Sequence, residues 1–262
     1  MGKFDNVIII SDLDGTLLDD NGNISSNDLK AIEYFKSEGG KFSIATGRTV
    51  NRTYFLNDCL SLDFAGIFSN GATIANLCDK KLLWEKFMDE SAREVIRDFH
   101  HKFPQNGIIV YSGNKDYFFN IDKFEKTGAN LDGFNIYKEN IDNINTPLNK
   151  IVIISFDDIL DFLNEEYKKY LDKIYFSKSN KYLYEIIDKS INKGNAVDFI
   201  KNMYHFENSK IITIGDNLND LEFIEKADIG ICVLNDCKAL IDKADLTVTK
   251  GNVLHKVIYE LL

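Results

Sequence analysis

The chain has 262 residues, enough for one large domain or two modest ones with a buried core. With 44% hydrophobic and 27% charged residues it reads as an ordinary globular protein, not a disordered or fibrous one. A formal net charge of −10 excludes a nucleic-acid backbone as main partner, yet still permits an anion in one locally positive cleft.

Cys59, Cys78, Cys232 and Cys237 form no C-x-x-C pair and read as reduced, mostly core residues. His100 and His101 are adjacent, and His205 and His255 are isolated, which speaks against a zinc site. No apolar run reaches the length of a membrane span, and "MGKFDN" lacks a secretory apolar stretch. A cytoplasmic location without membrane contact is expected; the oligomeric state is left open.

In chain order, "NVIIIS" is an unbroken β-branched run, the pattern of a strand buried on both faces. "ISSNDLKAIEYFKSEGG" follows with Leu29, Ile32 and Phe35 at helical spacing. Ser25 is its cap, Asp28 holds the acid position of a capping box, and Gly39-Gly40 is the stop. "KFSIATGR" reads as a second strand, "VNRTYFLNDCL" as a helix, and "FAGIFSNGATIA" as a third strand turning at Asn70-Gly71.

The middle, 82–188, reads differently. It pairs "GIIVYSG" with "DYFFNID" and "KIYFSKS" with "KYLYEIID", the latter through a turn at "SNK". "NKIVIISF" is a further strand, and helices are expected over 91–103 and 157–170. The tail returns to alternation: helix 195–204, strand "KIITIGD", helix "NDLEFIEKA", strand "DIGICV", helix "CKALIDKA", strand "LTV", helix 253–262. The expected fold is therefore α/β: a Rossmann-like, doubly wound parallel sheet over 1–81 and 189–262, with an α+β unit inserted at 82–188.

In such sheets ligands bind beyond the carboxyl ends of the strands. The loop after the first strand holds Asp12 and Asp14, and the loop after the second holds Thr46, Gly47 and Arg48. The loop after "KIITIG" holds Asp216, Asn217, Asn219 and Asp220, and Lys193 stands at a helix start. Carboxylates gathered in a partly dry cleft need a counter-charge. Oxygen ligands without Cys or His select a hard cation such as Mg²⁺. "DLDGTLLDDNGN" is not an EF-hand loop, because Leu17 and Asn23 stand where Gly and Glu are required.

"DLDGTLLD", "ATGR", "NKGNAV" and "GDNLND", in this order, resemble the four motifs of the haloacid dehalogenase-like hydrolases. The insert and "SNGATI" resemble the Cof-type branch of sugar-phosphate phosphatases. The resemblance implies an Mg²⁺-dependent phosphatase acting on a small phosphorylated metabolite, a sugar phosphate first among the candidates, with the insert as a lid that sets specificity. It implies Asp12 as nucleophile forming an aspartyl-phosphate, and Asp14 as the acid and base whose pKa is raised by neighbouring negative charge. Thr46 and Lys193 would hold the phosphoryl group, Gly15 and Gly47 would let the backbone approach it, and Asn219 would donate to it. Asp12, Asp216 and the Asp14 carbonyl would bind the metal, with Asp220 acting through water or by orienting its neighbours. Arg48 is either a substrate contact or a surface ion pair, and Asn70-Gly71 either a substrate contact or a plain hairpin turn. A phosphomutase and a non-catalytic sensor of phosphorylated ligands are the alternative functions. "CVLNDC" departs from the branch pattern, retaining Asn235 but with bulkier Leu234 and acidic Asp236 beside it.

Overall fold

The computed structural model describes residues 2–113, 115–128, 131–179 and 181–262. It begins with strand β1 (Val7–Ser11), helix α1 (Ser26–Ser37) and strands β2 (Lys41–Ile44), β3 (Gly66–Phe68), β4 (Thr73–Asn76) and β5 (Lys81–Glu85). Next come α2 (Glu90–Lys102), β6 (Gly107–Ser112), β7 (Lys115–Phe119), α3 (Ile121–Glu125), β8 (Ile136–Tyr137) and β9 (Lys150–Ile154). These are followed by α4 (Leu160–Glu166), β10 (Ile174–Lys178) and β11 (Leu183–Asp188). The last stretch is α5 (Lys193–Met203), β12 (Lys210–Gly215), α6 (Leu221–Glu225), β13 (Ile229–Leu234), α7 (Lys238–Ile241), β14 (Leu246–Thr249) and α8 (Val253–Lys256).

Two compact units result, one from the stretch up to Trp84 with Asn192–Leu262, the other Glu85–Ile191. The divisions fall slightly beyond 81 and 188 because Leu83 and Trp84 pack on the first unit's core.

The first unit is a five-stranded parallel sheet in the order β14-β13-β12-β1-β2. The β-branched run explains why β1 is an interior strand, between β12 and β2. Ile9 joins one apolar cluster with Phe35, Phe42 and Val253, while Ile8 and Ile10 join another with Val197, Ile200 and Phe223. Alternate side chains thus bury on opposite faces, and the strand's polar residue, Ser11, is buried too, its hydroxyl donating to the Asp12 carbonyl at 2.8 Å. The order reverses between β1 and β12, which opens a crevice at their carboxyl ends. A parallel bridge from Ala45 to Ile67 sets β3 beside the end of β2, and β3-β4-β5 form a small sheet of their own.

Ser25 caps α1 by accepting the Asp28 N–H at 3.0 Å, and its hydroxyl donates to Asp28 Oδ2 at 2.8 Å. Asp28 Oδ1 accepts the His255 N–H at 2.9 Å, so the capping acid also ties α1 to α8. The helix stops where Gly39 takes a φ of +92°, a left-handed conformation suited to glycine.

The second unit is a six-stranded sheet, β10-β11-β9-β6-β7-β8, antiparallel except for β7 beside β8. Helices α2 and α4 cover one face, with Val95, Ile96, Phe99 and Leu163 against Ile108, Ile151 and Ile186. Ile109, Phe118, Phe124 and Val152 form a smaller cluster on the other. Both expected strand pairs form, as β6–β7 and β10–β11. The turn expected at Ser179-Asn180-Lys181 includes Asn180, which lies outside the described residues.

Several expectations need correction. Val50–Asp58 is a 3₁₀ helix, not an α-helix; β-branched Val50 and Thr53 and two asparagines make it a poor α former. The segment expected as one helix over 157–170 is α-helical only at Leu160–Glu166, with a 3₁₀ turn at Lys168–Tyr170. The final helix continues past α8 as a π-helical turn, Val257–Leu261. All four cysteines are free thiols, but only Cys232 is buried; Cys59 and Cys78 are exposed, since they sit at the ends of surface segments. Among the described residues, no helix is long and apolar enough to cross a membrane.

Phe35 is fully enclosed between α1 and the sheet. Phe35→Ala should cost about 3–5 kcal/mol of stability, read as a lowered urea midpoint; an unchanged midpoint would show that the core does not rest on this ring.

Candidate active site

The centre of the site is a buried ammonium. Lys193, the first residue of α5, has no exposed surface, and its Nζ donates to Asp12 Oδ1 and to Asp220 Oδ1, each at 2.6 Å. A lone buried ammonium would be costly, whereas two short charge-assisted bonds compensate it. Burial disfavours the charged lysine, but Asp12 and Asp220 outweigh it and hold the group above its ordinary pKa.

Asp12 follows β1 directly and its N–H donates to the Ile214 carbonyl at 2.8 Å, which extends the β1–β12 ladder into the loop. Asp220 is fully buried, and its Oδ2 accepts the N–H groups of Asp216 at 3.0 Å and Asn217 at 3.1 Å. With Asn217 it forms a capping box at a 3₁₀ turn. Asp220 therefore folds the loop after β12 while gripping Lys193.

Asp216 closes the cluster. Asp12, Asp216 and Asp220 each offer a carboxylate oxygen within 4.8 Å of the others. Burial raises the Asp12 pKa well above the usual carboxylate range; Lys193 opposes this, and Asp220 and Asp216 add to it. Asp216 is pushed up to about 6, first by burial and then by Asp220, against the pull of Lys193. Gly15 makes the crowding possible. Its φ is +81°, and a Cβ there would lie 2.3 Å from Asp216 Oδ2. Thr16, which the motif reading passed over, donates from Oγ1 to Asp216 Oδ1 at 3.4 Å.

Asp14 points elsewhere. Its side chain is 57% exposed, and Arg48 grips it with Nε at 2.9 Å from Oδ2 and Nη2 at 2.6 Å from Oδ1. The guanidinium also lies over the Phe55 ring, 5.6 Å from its centre. Of the two readings of Arg48, the structure gives an ion pair, made with Asp14 itself. The neighbour of Asp14 is thus a cation, where negative charge was expected, because Thr46-Gly47-Arg48 ends the adjacent strand.

Thr46 is fully buried; its Oγ1 accepts the Arg48 N–H at 3.1 Å and its carbonyl accepts the Asn70 N–H at 3.0 Å. A Cβ on Gly47 would stand 3.0 Å from Asn70 Oδ1, so the glycine serves close approach of a side chain. Asn70 Oδ1 accepts from Asn219 Nδ2 at 3.1 Å. Gly71, with a φ of +106°, passes against the Asn192 carbonyl. Asn235 donates its side-chain amide to the Asp216 carbonyl and accepts the Cys237 N–H at 2.8 Å, so the retained Asn of "CVLNDC" buttresses the loop. Candidates scattered from residue 12 to residue 220 thus meet at one end of the sheet: the lysine-centred carboxylates, the Asp14–Arg48 pair, and the Thr46–Asn70–Asn219 group. Asn217 and Thr16 carried no signal beyond hydrogen-bonding capacity beside motif acids.

Lys193→Met would leave Asp12 and Asp220 buried without their shared cation. It should lower stability by about 3–5 kcal/mol, measured by thermal unfolding at neutral pH; a melting temperature equal to wild type would mean that the pairing is not structurally required.

Comparison with known proteins agrees with this arrangement. A family model described as haloacid dehalogenase-like hydrolase matches residues 9–261. The chain is 29% identical over 277 residues to the Bacillus subtilis 5-amino-6-(5-phospho-D-ribitylamino)uracil phosphatase YwtE, covering 96% of this chain and 95% of that one. Among solved structures it is similar to a haloacid dehalogenase-like hydrolase from Bacteroides thetaiotaomicron, with a TM-score of 0.82, 22% identity, and 99% and 100% of the two chains covered. It is also similar to the subclass IIB sugar phosphatase BT4131, with a TM-score of 0.77, 18% identity and 93% of each chain covered. A match across nearly the whole chain, on a sheet that gathers all four motifs at one end, is decisive: this chain is an enzyme of the haloacid dehalogenase-like hydrolase family.

Proposed function

We propose that the enzyme hydrolyses the phosphate monoester of a small metabolite, a sugar phosphate or related phosphorylated polyol, through an aspartyl-phosphate on Asp12. The observation that carries this reading is the Asp12 carboxylate held at 2.6 Å by a buried lysine and crowded by Asp216. One carboxylate oxygen is thereby oriented, and a fixed positive charge stands beside the place where phosphoryl oxygens would gather. The substrate class draws on two relatives, a 5-amino-6-(5-phospho-D-ribitylamino)uracil phosphatase and a sugar phosphatase.

In the proposed first step an Asp12 oxygen attacks phosphorus in line, and the bond to the leaving oxygen breaks. For Asp14 to give a proton to the departing alkoxide, its side chain leaves Arg48, which holds both of its oxygens in this structure, and turns toward Asp12. In the second step Asp14, now a carboxylate, takes a proton from water as the water oxygen attacks phosphorus. The Asp12–phosphorus bond breaks and inorganic phosphate leaves. Lys193 and the Asn219 amide offset the negative charge on the phosphoryl oxygens, and Thr46 contributes its hydroxyl proton, its N–H being spent on the Ile67 carbonyl at 2.8 Å; Arg48 holds the Asp14 oxygens until that turn.

The residues fit a hard divalent cation. All donors in the cluster are carboxylate oxygens, and three carboxyl groups share one ammonium. Burial first, and then the neighbouring carboxylates, raise the pKa of Asp12 and Asp216 against the pull of Lys193. Both Asp220 oxygens are already engaged. Asp12, Asp216 and the Asp14 carbonyl would therefore hold Mg²⁺ directly, with Asp220 orienting the loop behind them. Bound there, Mg²⁺ would neutralise charge on the transferring phosphoryl group.

Two experiments test the reading. Asp12→Asn should reduce phosphate release from a panel of sugar phosphates by about 10³-fold or more while circular dichroism stays native; turnover at the wild-type rate would remove Asp12 as nucleophile. Treatment with EDTA should abolish turnover and added Mg²⁺ should restore it, and full activity in EDTA would refute the metal assignment.

A further inference from the structure

Ser69, Asn70 and Gly71 are three successive residues in left-handed backbone, with φ of 51°, 56° and 106°, and all three are buried. An Asn-Gly turn in a β3–β4 hairpin needs no special account. Asn70, however, is not the residue that would make this turn easiest, since glycine takes such angles without steric cost. Its side chain is 4% exposed and holds the Asn219 amide at 3.1 Å.

The backbone of the turn is equally committed. The Ser69 N–H donates to the Arg48 carbonyl at 2.8 Å and the Asn70 N–H to the Thr46 carbonyl at 3.0 Å. Gly47, lacking a Cβ, leaves room for Asn70 Oδ1. On the other side a Cβ on Gly71 would stand 2.5 Å from the Asn192 carbonyl and 3.3 Å from the Ala196 Cβ. Asn192 caps α5 by accepting the Asn195 N–H at 2.7 Å and immediately precedes Lys193.

We propose that this turn is the positioning element of the site: Asn70 orients Asn219 toward the phosphoryl group and locks the Thr46 loop, while Gly71 seats the start of the helix that carries Lys193. Asn70 acts through Asn219 and does not itself contact the reacting atoms. The inference rests on the phosphatase reading above and replaces a substrate contact by Asn70 with a structural coupling among three loops. An amide nitrogen has two N–H groups; one of those on Asn219 is spent on Asn70, which sets the direction of the other.

Asn70→Gly separates turn from side chain, because it keeps the backbone angles and deletes the amide. With p-nitrophenyl phosphate as probe, kcat should fall about 10²-fold with KM little changed. Asn219→Ala should fall similarly, and the double variant should be no worse than Asn219→Ala alone. An Asn70→Gly enzyme with wild-type kcat, or a double variant whose losses multiply, would overturn the proposal. If wild-type enzyme releases no phosphate from any ester, that failure belongs to the phosphatase reading. The positioning claim is then decided by the Asn219 side-chain NH₂ signals in the ¹⁵N spectrum: displacement in Asn70→Gly supports it, and unchanged signals refute it.

Discussion

A single buried ammonium organises the carboxyl end of the sheet in the first unit. Lys193 has no water to solvate it, so its charge is tolerable only while Asp12 and Asp220 stay within hydrogen-bond reach. That requirement fixes the end of β1, the start of α5 and the loop after β12 relative to one another. Asp12 and Lys193 alone stand 181 positions apart in the chain. Asp220 meets the same requirement from the other side, since its second oxygen is taken by two backbone N–H groups of its own loop. Charge pairing and loop folding are thus one event, not two.

The same constraint explains why small or conformationally tolerant residues ring the site. Bringing three carboxylates within 4.8 Å of one another leaves no volume for a side chain at residue 15, and the left-handed angle there excludes most residues in any case. Burial, with the neighbouring carboxylates adding to it, raises both Asp12 and Asp216 in pKa. Arg48 works on a different carboxylate, and its bidentate grip on Asp14 keeps the two aspartates of the first loop in contrasting surroundings: one buried beside a lysine, one exposed beside a guanidinium.

The second unit shows independent physics. Its sheet buries an apolar face under α2 and α4, and it has a core of its own. Within it Lys150 and Glu185 form a buried ion pair at 2.6 Å across the sheet. Each charge compensates the other's loss of water, so removing either partner would leave a buried charge unpaired.

Much of this was legible in the residues alone. An unbroken β-branched run can only be a strand covered on both faces, alternation of strands and helices dictates a parallel sheet, and strand-end acids then fall at its carboxyl edge. Local chemistry of this kind determined the α/β class, the inserted unit and the identity of Asp12, Lys193, Asp216 and Asp220 as a group. The tertiary structure alone decided who pairs with whom: that Arg48 takes Asp14, that Asp220 spends both oxygens inside the protein, that Asn70 reaches Asn219, and that Gly47 yields space to a side chain. Helix type at Val50–Asp58 and the exposure of Cys59 and Cys78 were decided there too. The reason is one of range. Periodicity and turn chemistry act over a few neighbouring residues, whereas a hydrogen bond between residues 14 and 48, or 70 and 219, exists only after the sheet has brought their loops together.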